Sequence, residues 1–116
     1  MNVYHNPSCS KSRICLDELT SKDMTFEVIH YLKNPLNRAE LTSLLKKLDM
    51  NPSELVRKNE VIFKEAAKIK ELTEEEILQL MLDYPKLIQR PIVEVDGKAI
   101  VARPIERLAA FLTSIK

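Results

Sequence analysis

Cys9 follows Asn6-Pro7-Ser8 and precedes a basic run, Ser10-Lys11-Ser12-Arg13. A thiol attacks as its thiolate, a form favoured by hydrogen-bond donors, nearby cations and the positive end of a helix. The residues after Cys9 read as the opening turn of a helix, which leaves unpaired amide groups facing the sulfur. Ser10 and Ser12 add hydroxyl donors, and Lys11 and Arg13 add positive charge. His5, just upstream, is placed to orient the sulfur or share a proton. The alternative is a small packing residue at a strand end.

Cys15 has a different address. Six residues along a helix is a rise of about 9 Å with a rotation onto another face, shared with Leu16 and Leu19. Cys15 therefore reads as buried filler rather than a resolving thiol. A Cys-x-x-Cys redox pair is excluded because position 12 is serine. The phosphatase pattern of cysteine with arginine six residues later fails because position 15 is cysteine. His5, Cys9, Cys15 and His30 match no usual zinc spacing, so no metal is expected.

A thiolate acting on an anion needs cations from elsewhere in the chain. Arg57 lies in "ELVRKN" at the end of a middle helix, while Arg90 and Arg103 each precede a proline on either side of a hairpin. Antiparallel strands return the chain to its starting end, so the two Arg-Pro pairs share one end of the sheet. Guanidinium forks suit tetrahedral oxyanions through paired hydrogen bonds. Taken singly, each arginine is an ordinary surface charge; their shared placement suggests a site.

The elements that hold these residues follow from pattern. Asn2–His5 reads as a short strand, Ser10–Lys22 as a helix, and Phe26–Leu32 as a second strand rich in β-branched and aromatic residues. Leu41, Leu44, Leu45 and Leu48 recur at helical spacing. Asn51-Pro52 opens a further helix through Lys58, and Thr73 to Glu76 forms a capping box before another. "PIVEV" and "KAIVA" alternate about Asp96-Gly97, a strong hairpin signal that holds the sole glycine. A last helix is expected over Ile105–Ile115. The order is β-α-β, several helices, then β-β-α: an α/β plan in which a helical block interrupts a small mixed sheet.

With 116 residues and 45% hydrophobic content, the chain is expected to form one domain over 1–116. The net charge is +1 and the two halves are nearly balanced, which argues against nucleic acid or an anionic membrane as partner. No apolar run is long enough to span a bilayer, and no signal-peptide centre opens the chain. Two cysteines suit a reducing compartment, so a cytoplasmic protein is expected.

"YHNPSCSKSR", "LVRKN", "QRPIV" and "ARPIE", in this order over nearly the whole chain, resemble the glutaredoxin-coupled arsenate reductase family. The resemblance implies a thioredoxin-like fold with a helical insertion. It places Cys9 on the family's nucleophile and Arg57, Arg90 and Arg103 on its three oxyanion-binding arginines. It places His5, Asn6 and Ser12 on positions that tune or bond to the thiolate, and Pro91 on the cis-proline beside the cysteine. The implied reaction reduces arsenate with glutathione as co-substrate and glutaredoxin as partner, in a monomer with no bound cofactor. The loop reads Cys-Ser-Lys-Ser-Arg where other members read Cys-Gly-Thr-Ser-Arg, and so resembles a sub-branch. Two other readings share the scaffold: a glutathione-dependent thiol reductase, and an Spx-type regulator that binds RNA polymerase. The second commonly uses the Cys-x-x-Cys switch missing here.

Overall fold

A computed structural model describes residues 1–114. Its elements begin with β1 (Asn2–Tyr4), α1 (Ser10–Ser21) and β2 (Glu27–Ile29). Then follow α2 (Arg38–Leu48), α3 (Pro52–Leu55), α4 (Val61–Ile69), α5 (Glu74–Asp83) and a single 3-10 turn (Pro85–Leu87). The chain ends with β3 (Ile92–Val95), β4 (Lys98–Val101) and α6 (Glu106–Ser114). The architecture is α/β, with a four-stranded mixed sheet and, among the described residues, six α-helices. No helix of the described residues is long and apolar enough to cross a membrane.

Contacts divide the chain into two compact units, one of residues 1–34 with 90–116 and one of residues 35–89. The first holds the sheet, in the order β2-β1-β3-β4. β1 runs parallel to β2, with Tyr4 opposite Ile29, and antiparallel to β3, with Tyr4 opposite Ile92. Val3 and Val93 are paired across that junction and face Cys15 and Leu19 of α1 and Leu108 and Leu112 of α6, all buried in one core. Neighbouring residues on β1 and β3 point to the opposite face. There the Glu94 carboxylate is buried but satisfied, accepting from Asn2 Nδ2 at 2.9 Å and the Tyr4 hydroxyl at 3.3 Å.

The hairpin forms as its sequence demands. Asp96 and Gly97 both have positive φ, 49° and 79°, the geometry of the tight turn whose twist matches the flanking strands. β2 is shorter than the expected Phe26–Leu32. After Ile29 the chain turns, and the His30 carbonyl accepts from the Lys33 and Asn34 amides at 3.1 and 3.0 Å. The final helix starts one residue later than expected, and its expected last residue, Ile115, lies outside the described residues.

The second unit is the helical insertion between β2 and β3. α2 is capped by Asn37, whose side chain accepts from the Glu40 amide at 2.8 Å, and it buries Leu41, Leu44, Leu45 and Leu48. α5 carries the Thr73–Glu76 box and buries Ile77, Leu78 and Met81. α3 ends at Leu55, short of the expected Lys58, because Val56 turns extended and forms an antiparallel bridge with Ile88. α4 has no counterpart among the expected elements. Its Glu60 N-cap offers no side-chain cap and none of its residues is fully buried, so neither a start signal nor a core stripe announces it.

Candidate active site

The loop between β1 and α1 is built by short-range hydrogen bonds that its sequence supplies. The Asn6 side-chain oxygen accepts from the Ser8 amide at 3.0 Å, closing an Asx turn. The Asn6 carbonyl accepts from the Cys9 amide at 3.0 Å. Ser12, fully buried, accepts at Oγ from the Asn6 amide at 3.4 Å. Asn6 and Ser12 therefore hold the loop's shape with their side chains. Arg13 Nη1 donates to the Pro7 carbonyl at 3.4 Å along the outside.

This loop makes Cys9 the N-cap of α1, with extended backbone, and the Cys9 carbonyl accepts the first helical bond from Arg13 at 3.2 Å. Burial alone would push the thiol up. The Ser12 amide, the Arg90 side chain, the Lys11 amide and the charge of Arg90 outweigh it, and the Cys9 pKa falls below the ordinary thiol value. The sulfur closes no cap hydrogen bond of strict geometry; the amides act instead by stabilising its charged form, as expected at a helix N-terminus. Cys15 contrasts with it. Fully buried, it is pushed up to about 11 by burial and by the charge of Glu18.

The pairing of β3 and β4 places the two Arg-Pro segments at one end of the hairpin. Ile92 faces Val101, and beyond that pair the Ala102 amide donates to the Pro91 carbonyl at 2.9 Å. Arg90 and Arg103 flank this step, and both Arg-Pro peptides are cis. Of the two, Arg90 reaches Cys9, as donor and as charge. Arg103 is half-buried at the same hairpin end.

Arg57 belongs to the helical unit. It follows α3 rather than ending it, and its amide donates to the Leu87 carbonyl at 2.7 Å. Its Nε lies 3.8 Å from Glu60 Oε1, while Nη1 is buried without an acceptor among the described residues.

His5 is buried, and its ring meets that of His30 edge-on, with centroids 6.1 Å apart. Burial first, then His30 and Arg13, hold the imidazole below its ordinary pKa. Its Nδ1 has no partner among the described residues.

Sequence reasoning missed Tyr31. It is 1% exposed and sits within electrostatic reach of Arg90 and Cys9. Its one signal, an aromatic in "FEVIHYL", is equally that of a strand.

The model of the ArsC family matches residues 4–111. The uncharacterized protein YfgD of Escherichia coli strain K12 is 44% identical over 110 residues, covering 93% of this chain and 92% of its own. An arsenate reductase of Neisseria meningitidis serogroup B is 35% identical over 114 residues, 97% of each chain. Among solved structures, an arsenate reductase from Vibrio cholerae superposes with a TM-score of 0.86 at 36% identity, over 95% of this chain and 97% of that one. The fold is thus the thioredoxin-like one of the arsenate reductases, and the chain belongs to the ArsC family.

Proposed function

We propose that the protein reduces arsenate, with Cys9 as nucleophile. The observation that carries this reading is a helix-capping sulfur whose pKa is lowered, beside the guanidinium of Arg90. A thiolate and an arsenate dianion repel each other, so attack requires cations that neutralise the oxyanion as it approaches. The interaction of Arg90 with Cys9 supports that role for it, and Arg103 leaves the same hairpin end. The sequence resemblance adds Arg57 as a third oxyanion-binding arginine.

In the reaction, the Cys9 thiolate displaces an oxygen of arsenate, which leaves as water, and an arsenic–sulfur bond forms. Glutathione thiolate then attacks the adduct. Arsenic accepts two electrons, one from each sulfur, and departs as arsenite, leaving Cys9 in a mixed disulfide with glutathione. Glutaredoxin reduces that disulfide and restores the thiolate. Cys15 takes no part, because a fully buried thiol titrating near 11 is neither accessible nor ionised at neutral pH.

The similarity to arsenate reductases of N. meningitidis and V. cholerae supports this substrate. Its test is turnover of arsenate by purified protein with glutathione and glutaredoxin. Cys9→Ser is expected to abolish it; arsenate reduction by Cys9→Ser at the wild-type rate would refute the mechanism. A second reading rests on the altered cysteine loop, Cys-Ser-Lys-Ser-Arg at 9–13: reduction of a glutathionylated thiol by the same Cys9. Reduction of such a model substrate without arsenate turnover would favour it.

A further inference from the structure

The register of the sheet brings a third chemical group to the cysteine loop. Tyr4 pairs with Ile29 on one side and Ile92 on the other. The ladder continues past β1, since the His5 amide donates to the Ile29 carbonyl at 3.0 Å and the rings of His5 and His30 meet. There the strand ends: Tyr31 opens the turn that follows, next to His30, whose ring meets His5 of the cysteine loop. Tyr31 is thus held beside the loop by the end of β2, independently of any motif around the cysteine.

The Tyr31 side chain is among the largest fully buried ones of the protein, yet its hydroxyl has no hydrogen-bond partner among the described residues. A buried donor without an acceptor is costly and uncommon. Such a group persists where a ligand takes up the bond. The hydroxyl also stays protonated. Burial pushes it up to about 12; Arg90 opposes this and Cys9 adds to it. It therefore offers a neutral donor at neutral pH, and a neutral donor adds no repulsion.

We infer that Tyr31 is a substrate-contacting residue, whose hydroxyl donates a hydrogen bond to an oxygen of the tetrahedral oxyanion held by Arg90 for attack by Cys9. The inference rests on the oxyanion-site reading above and extends it. A guanidinium neutralises charge; a buried phenol adds direction, selecting anions with an oxygen placed to accept from it.

The test compares wild type, Tyr31→Phe and Arg90→Ala in two measurements. One is the protection of Cys9 from iodoacetamide as inorganic arsenate is titrated. The other is the thermal midpoint without anion. In Tyr31→Phe, arsenate affinity is expected to fall about ten- to a hundredfold, the effect of losing a hydrogen bond to a charged group. Its thermal midpoint is expected to equal or exceed wild type, because an unpaired buried hydroxyl has been removed. Arsenate protection of Tyr31→Phe equal to wild type overturns the role of Tyr31, provided that Arg90→Ala is impaired. A lowered thermal midpoint in Tyr31→Phe also overturns it, by showing that the hydroxyl serves the fold. Failure of arsenate to protect wild type, or equal protection of Arg90→Ala, overturns the oxyanion site itself and Tyr31 with it.

Discussion

At the scale of single residues, two cysteines of one helix segment are driven in opposite directions. Cys9 is lowered by Arg90 and by the amides of the first helical turn against the opposing effect of burial; Cys15 is raised to about 11. Because only the thiolate alkylates, iodoacetamide at about pH 7 to 8 is expected to label Cys9 and leave Cys15 untouched, as read by peptide mass mapping. The rate should rise with pH through a midpoint below the ordinary thiol pKa. Arg90→Ala removes a nearby charge and a donor, so that midpoint should move to higher pH, and arsenate affinity should drop about ten- to a hundredfold. The nucleophile was legible because a thiol at a strand-to-helix junction, followed by basic and hydroxyl residues, has surroundings that favour its ionised form. Asn6 and Ser12 were legible as neighbours of the sulfur, whereas their actual work, closing the loop with their side chains, emerges only in the folded chain. Tyr31 was not legible. In sequence a tyrosine within a β-branched run is a strand former, and only the folded chain, which turns after Ile29, shows its hydroxyl buried without a partner among the described residues.

At the scale of elements, the hairpin decides where Arg90 and Arg103 emerge, and its turn decides the hairpin. Gly97 has φ of +79° with open space around its Cα. Gly97→Ala therefore meets no clash but must hold a left-handed conformation, at a cost of about 1–2 kcal/mol. A urea midpoint lowered by that amount, with the alkylation profile of Cys9 retained, is the expected result; an unchanged midpoint would show that the turn relaxes freely. Asp96-Gly97 made this hairpin readable, and the capping box at Thr73 made the start of α5 readable. α4 lacked such a start signal, and no element was expected there. α3 stopped early because Val56 entered a bridge with Ile88, far along the chain, a contact invisible to local pattern.

At the scale of the whole molecule, the sheet unit gathers both ends of the chain into one core: Val3, Cys15 and Leu19 from the first segment, and Val93, Ala102, Leu108 and Leu112 from the last. Leu19 is fully buried there. Leu19→Ala is expected to cost about 2–5 kcal/mol, measured by equilibrium unfolding, since it leaves a cavity beneath the helix that carries Cys9. The α/β class and the interrupting helical block were readable from element order alone. The sheet order was not, because it depends on β1 seating itself between β2 and a strand from the far end of the sequence. That separation has a consequence for biosynthesis. Cys9 leaves the ribosome well before Arg90, so a polypeptide not yet extended to β3 holds the sulfur without its guanidinium and β1 without β3. The part of the thiol's activation that Arg90 supplies is in this way deferred until β3 has been made.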